Sequence, residues 1–285
     1  MALWCPDWPV RAGGADPAAA VAVVKANRVV AASAPARAEG VEVGQRRRQA
    51  ESRCPGLAVV QLDEGRDARA FEPVVQAVSA FAPRVEVVRP GEAAFAVRGP
   101  ARYFGGERRL GRLVADAADA ASPGGPGGGP PCRVGVADGP FAAALAARRG
   151  IVVPAGATPR FLAPLPVEAM GLPDLADLLV RLGIRTLGQL GELPSTQVLS
   201  RFGPEGERAH RLARGLDERL LDARPPAEDL AVVVELDPPV ERVDAAAFAA
   251  KTAADRLHAC MQERGLVCAQ VAIEAESEHG ERLSR

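Results

Sequence analysis

The stretch from Phe71 to Val97 constrains the fold more than any other part of the chain. Phe71, Val74, Val75, Val78 and Phe81 recur at helical spacing, and Pro83 closes the run. The spacing predicts a helix over 67–82, with Pro73 near its start. Two short runs suited to strands follow, Val85 to Val88 and Ala93 to Val97, on either side of Pro90-Gly91. A Pro-Gly dipeptide between strand-like runs predicts a tight hairpin. One carboxylate, Glu92, stands beside the turn with no second carboxylate next to it. Taken alone, this is a surface hairpin with a solvated glutamate behind an amphipathic helix.

At 285 residues the chain has room for two or three domains. Aromatics make up only 4% of it, so helices rich in Ala, Val and Leu are expected to do most of the packing. The net charge of −1 gives no whole-molecule field towards nucleic acid, so any such contact must come from local patches. Cys5, Cys54, Cys132, Cys260 and Cys268 are widely spaced with no CxxC pair, which argues against a disulfide framework or a zinc site and fits a reducing cytoplasm. His210, His258 and His279 lack metal-ligand spacing, and no GxSxG or Walker lysine motif occurs. No signal-like start is present, and no run approaches the ~18 apolar residues of a membrane span.

Ala2 to Cys5 reads as a short buried strand broken by Pro6, with Asp7 as a turn residue between prolines. Asn27 to Ser33 reads as a strand, and a short basic helix over Gln45 to Cys54 follows, stopped by Pro55-Gly56. Arg102-Tyr103-Phe104-Gly105-Gly106-Glu107 precedes a helix running to about Ala121. Ser122 to Pro131 is low in complexity and is expected to form a flexible surface loop. Cys132 to Ala137 is a strand, Phe141 to Arg149 a helix and Ile151 to Pro154 an edge strand. From Pro166 to Arg224 the pattern is helical: Leu175, Leu178, Leu179 and Leu182 make one apolar face, Gly183-Ile184 ends that helix and Thr186 opens the next. An acidic, proline-rich tether over 224–229 leads to expected strands at Leu230 to Leu236 and Val267 to Ala275. Between them, Ala245 to Glu263 is a helix with Phe248, Thr252, Leu257 and Met261 at core-like positions.

The order of helix, strand, turn and strand resembles the palm of the Y-family, translesion DNA polymerases. Phe104-Gly105-Gly106-Glu107 resembles the ImuB group, the catalytically impaired relatives of bacterial mutagenesis systems. The resemblance implies an α+β fold with a ferredoxin-like palm, small fingers, a helical thumb with a helix–hairpin–helix element and a partial little finger. The implied segments are palm over 1–30 and 67–165, fingers over 31–66, thumb over 166–224 and little finger over 228–285, with Asn27 to Ser33 as the next palm strand and Ala58 to Leu62 as the last fingers segment. The family's little finger has further strands and a helix, so this chain is expected to be a fragment.

The family's turn carries Ser-Ile-Asp-Glu, whose acids hold catalytic magnesium; the matching residues here are Arg89, Pro90, Gly91 and Glu92. The two aspartates of its first strand fall on Trp4 and Pro6, and its aromatic pair, including the sugar gate, on Trp8 and Pro9. Asp7 is one residue out of place, and a one-residue offset turns a strand side chain to the opposite face. Of the Tyr-x-Ala-Arg that touches the triphosphate only Arg37 remains, and the neutralising lysine falls on Ala144. The expectation is a polymerase body without catalytic residues: Glu92 is vestigial, magnesium binding is lost, and no metal or other cofactor is held. Arg46, Arg47, Arg201, Arg208, Arg211 and Arg214 are the candidate DNA contacts. Pro173, in the family's Gly-Ile-Gly turn, lacks the N–H donor that the turn uses. The implied role is a non-catalytic adaptor in damage-induced translesion synthesis, cytoplasmic and nucleoid-associated. Its implied partners are damaged or primer–template DNA, the sliding clamp, an error-prone C-family polymerase and a RecA-like accessory protein, with no membrane. The alternatives are a DNA-binding module without a polymerase complex, or a weakly active translesion polymerase using Asp7 and Glu92.

Overall fold

The structure is a computed structural model that describes residues 1–217, 219, 221, 230–240, 242–263, 268, 271–277 and 281–284. The chain divides into two units, Met1–Pro226 and Ala227–Arg285.

The first unit is built on a sheet with strand order β5-β6-β1-β7, where β1 is Ala2–Trp4, β5 Glu86–Arg89, β6 Glu92–Ala94 and β7 Arg133–Gly135. Its strands are antiparallel, and the register sets Leu3 opposite Ala93 and Val134, while Trp4 faces Glu92 and Arg133. Because side chains alternate between faces, each strand serves two surfaces. Leu3, Cys5, Ala93 and Val134 join a core with Phe71, Val74 and Val78 of α4 (Glu64–Ser79) and Leu110, Val114 and Ala118 of α6 (Glu107–Ala121). Trp8, at the start of α1 (Trp8–Ala12), closes this core edge-on to Phe71, with ring centroids 5.0 Å apart. On the opposite face Ala2 packs with Ala143 and Ala147 of α7 (Pro140–Arg149). Here a Cβ on Gly135 would lie 2.0 Å from the Ala147 nitrogen, so only glycine lets the helix settle.

The expected helix over 67–82 is α4, three residues earlier at each end because Asp63 caps it through the Arg66 amide; Pro73 therefore lies in its interior. The strand read at 27–33 does not join the palm sheet. As β3 (Arg28–Ala32) it pairs with β2 (Val21–Lys25), which pairs in parallel with β4 (Ala58–Gln61). This second sheet packs with α2 (Ala34–Ala38) and α3 (Arg47–Arg53) around Val24, Val29, Ala36, Val41 and Ala50.

The low-complexity segment 122–131 has a partner at its start in a side chain of α1. Arg11, a buried arginine, donates to the carbonyls of Pro123 and Gly125 at 3.1 and 2.8 Å and pairs with Asp119 at 3.2 Å. A buried guanidinium with several acceptors organises a backbone that has no side chains of its own to pack. Beside it, the free thiols of Cys5 and Cys132 meet at 2.9 Å; this hydrogen bond and burial push the Cys5 thiol far up.

The helical region holds α8 (Thr158–Leu162), a 3₁₀ turn at Val167–Met170, α9 (Pro173–Arg181), α10 (Leu187–Gly191) and α11 (Ser195–Ala213), which bends at Gly203. Thr186 caps α10 in a capping box with Gln189. Leu175 and Leu179 are buried, but Leu182, expected on the same face, caps the end of α9 and is exposed. Gly171 ends the 3₁₀ turn, and Pro173 is the first residue of α9, where an N–H is not needed by the helix.

The second unit contains α12 (Val243–Glu263) and the two-stranded pair β8 (Glu274–Glu276) and β9 (Arg282–Ser284). Residues 230–236, read as a strand, have no strand partner among the described residues. Phe248, read as core, is 76% exposed, because nothing described in this unit covers that stripe of the helix. The tether at 224–229 and parts of the strand expected at 267–275 lie outside the described residues.

Candidate functional site: the open face of the palm sheet

The face of the sheet that carries Trp4 and Glu92 opens on a cavity of about 570 Å³. Trp4, Val88, Glu92, Phe141 and Ala144 line one side, and Arg208, Arg211 and Leu212 of α11, with Leu216, Asp217 and Arg219, line the other. Two links hold the segment after α11 against the palm. Asp217 accepts from the Phe141 amide at 2.8 Å at the start of α7, and Arg219 pairs with Glu86 of β5 at 2.6 Å.

Glu92 is largely enclosed, with its side chain 14% exposed, and its carboxylate is engaged twice. Arg89, across the turn, donates at 2.6 Å, and Arg148, from the last turn of α7, at 3.2 Å. The hydrogen bond to Glu92 raises the Arg89 pKa, so that guanidinium is charged at any working pH. Directly opposite Glu92 stands Trp4, with the Arg133 guanidinium 5.8 Å over its ring.

The turn itself is closed to a larger residue. Gly91 has φ 89°, and a Cβ there would lie 2.5 Å from the Trp8 Cβ; its carbonyl accepts from the Cys5 amide at 2.8 Å. The position that the family resemblance assigns to a metal-binding aspartate is therefore occupied by the side chain of Trp8. Asp7 does not reach the cavity. It begins α1 with φ 52°, and its carboxylate pairs with Arg37 at 2.7 Å. Arg37 also bonds the Ala32 carbonyl, so the remaining residue of the triphosphate motif faces Asp7.

The fit to a pair of magnesium ions is poor on the donor set alone. Two-metal transfer needs carboxylates converging on both ions. Glu92 is held by two arginines, Trp4 and Gly91 offer no ligand atoms on their side chains, and no cluster of three His, Cys, Asp or Glu suited to a metal occurs among the described residues.

Of the candidate DNA contacts, the structure brings Arg208 and Arg211 to the same cavity as Glu92. Arg201 is exposed on the first half of α11, and Arg214 follows its last turn; neither lines the cavity. Arg46 precedes α3 and Arg47 pairs with Glu51 at 2.7 Å, both exposed on the second sheet's helix. Sequence reading missed Arg148, Arg219 and Asp217. Their roles depend on pairings 56, 133 and 76 residues apart, for which the sequence carries no local signal.

Residues 15–148 match the impB/mucB/samB family model. Among curated proteins, the chain is 31% identical over 204 residues to DNA polymerase IV 2 of Mesorhizobium japonicum, covering 69% of this chain and 48% of that protein. It is 31% identical over 169 residues to protein ImuB of Caulobacter vibrioides, covering 58% of this chain and 35% of that one. The chain thus spans about half the length or less of these relatives. Among solved structures, DinB from Sulfolobus solfataricus superposes with a TM-score of 0.64 at 18% identity, over 77% of this chain and 68% of that one. A ternary complex of Dbh gives 0.60 at 17% identity, over 100% of this chain and 86% of that one. These likenesses establish the fold, that of the Y-family polymerases. Among the described residues, no helix is long and apolar enough to cross a membrane.

Proposed function

We propose that this chain, in which residues 15–148 form a domain of the impB/mucB/samB family on a Y-family polymerase fold, serves translesion synthesis as a non-catalytic adaptor of the ImuB kind. The observation that carries the reading is the pairing of Glu92 with Arg89 and Arg148 opposite Trp4, with Trp8 against Gly91. Four separate features disfavour a metal-loaded site, and each would have to change before magnesium could be clamped there. The site holds no bound magnesium in this reading, and its arginines serve the phosphate backbone. Arg208 and Arg211, three residues apart on α11, are one helical step from each other and suit adjacent phosphates. The weakly active alternative needs Asp7 beside Glu92, and the Asp7–Arg37 pair argues against it.

As an adaptor the protein bridges damaged or primer–template DNA, the sliding clamp, an error-prone C-family polymerase and a RecA-like accessory protein, in the cytoplasm and at the nucleoid. The test is primer extension together with primer–template binding over a salt series, with and without magnesium and dNTP. The adaptor reading expects no extension and salt-sensitive binding that ignores both additions. Extension, or tightening by magnesium and dNTP, would show an assembled active site and overturn it. Co-precipitation of a full-length chain with purified clamp and C-family polymerase separates the adaptor from a DNA-binding module without a polymerase complex.

A further inference from the structure

The other side of the palm sheet carries a basic surface that none of the roles above uses. Residues 98–112 contain five arginines (Arg98, Arg102, Arg108, Arg109 and Arg112) against one acid, Glu107, in a chain whose net charge is −1. All five are exposed, and none has a hydrogen-bond or ion-pair partner among the described residues. Most other arginines near this core are engaged: Arg11 with Asp119, Arg66 with Asp67 and Arg89 with Glu92. Arginine is the side chain that grips phosphate in a fork, and unpaired guanidinia are available for it.

Helical spacing pairs four of them, and the turn between two successive helices brings in the fifth. Arg98 and Arg102 are one turn apart on α5 (Arg98–Phe104), and Arg108 and Arg112 are one turn apart on α6. The two helices meet at Gly105-Gly106, where Arg109 folds back so that its guanidinium lies 3.5 Å from the place of a Gly105 Cβ. In sequence, Tyr103 stands between the two arginine pairs; it is the only tyrosine of the chain and 84% exposed. Its ring lies edge-on to Phe104 at 4.8 Å, and Phe104 in turn packs against Phe81 at 5.4 Å. An aromatic face in solvent, accompanied by unpaired guanidinia, is the combination that holds unpaired bases and their backbone. A duplex does not present its bases to such a ring.

We infer that the α5–α6 surface, centred on Tyr103 and carrying Arg98, Arg102, Arg108, Arg109 and Arg112, binds single-stranded nucleic acid. Tyr103 stacks on a base and the arginines hold the flanking phosphates. This surface belongs to the layer of α4 and α6, and the Glu92 cavity to the opposite face of the sheet. It is therefore independent of the proposed duplex contact at Arg208 and Arg211, and either can fail without the other.

The test uses the whole chain with a fluorescent 20-mer of thymidylate, a uridylate 20-mer and polyglutamate as probes. Tyr103→Ala is expected to weaken the thymidylate oligomer about tenfold while Tyr103→Phe retains it, since the ring and not the hydroxyl stacks. The triple change Arg102→Ala, Arg108→Ala and Arg112→Ala is expected to lower the salt slope by about 2, at ~0.7 per single-strand phosphate. Binding of a blunt duplex and far-UV circular dichroism should stay unchanged in all three. A bromodeoxyuridine oligomer should photocross-link to the peptide holding Tyr103. Equal weakening of the uridylate and thymidylate oligomers would make the surface a general single-strand site, and selective loss of one would name its sugar. Cross-links confined to other peptides, unchanged affinity in the Tyr103→Ala and triple variants, or polyglutamate binding that depends on the arginines and not on Tyr103 would each overturn the inference.

Discussion

The two faces of the palm sheet are made by alternate residues of the same strands, yet they obey different rules. On one face Leu3, Ala93 and Val134 are packed against α4 and α6 into a continuous apolar core. On the other, Trp4 and Glu92 meet a cavity walled by arginines, and Arg133 lies over the Trp4 ring. One residue of offset in a strand separates the two surfaces. The difference separates what the two faces do: a substitution at Trp4 bears on the open face, whereas Gly91, whose Cβ would meet Trp8 of the packed core, is tied to both. It also explains why Asp7, shifted by one position and carried into a helix start, answers to Arg37 instead of Glu92.

The sharpest way to break this comparison is to exchange neighbours across the sheet. Leu3→Ala removes a fully buried side chain and is expected to cost about 2–5 kcal/mol. Trp4→Ala, one residue on, removes a larger side chain from a partly open surface and is expected to cost only about 1 kcal/mol, of the order of its contact with Arg133. Urea midpoints of the two variants measure this directly. Equal losses would show that the open face carries the fold as much as the packed one does.

Between these lies Gly91→Asp, which restores the family's acid at the turn. The backbone at φ 89° disfavours any side chain, and the new Cβ would collide with Trp8, so the change is expected to cost about 2–4 kcal/mol and to bring no magnesium-dependent activity. A stable variant that extends a primer would mean that Trp8 moves aside freely, and that the open face is closer to an active site than its packing indicates.

Much of this was legible before any coordinates. The α4 helix, the Pro90-Gly91 hairpin and the capped start of α10 follow from periodicity and turn chemistry, because their determinants lie within one turn of each other. That Glu92 stands beside the turn with no second carboxylate next to it was legible too, because it is read directly from neighbouring residues. What escaped were tertiary pairings. Arg11 was not singled out, since an arginine is normally a surface residue and a glycine-proline run normally has nothing to hold it. The strand at Arg28–Ala32 was assigned to the wrong sheet because a strand's sequence records its burial and not its partner. Phe248 was read as core because helical spacing shows which residues share a face, and only the neighbouring structure decides whether that face is covered.

The smallest expected effect is the most diagnostic for the open face. Glu92→Gln removes the charge that Arg89 and Arg148 share, in a site that is still reached by water, so its effect on stability is expected to stay under about 1 kcal/mol. The two guanidinia would then be released from Glu92, which lines the same cavity as Arg208 and Arg211, and local positive charge would rise by one unit. Primer–template binding should therefore tighten slightly and become more salt-dependent, since each additional phosphate contact steepens the slope by ~0.9. Magnesium should make no difference to either protein. If magnesium tightened binding of the parent chain and not of the glutamine variant, Glu92 would be acting as a metal ligand. Its arginines would then be replaceable partners, and the open face would differ from the packed one in occupancy alone and not in chemistry.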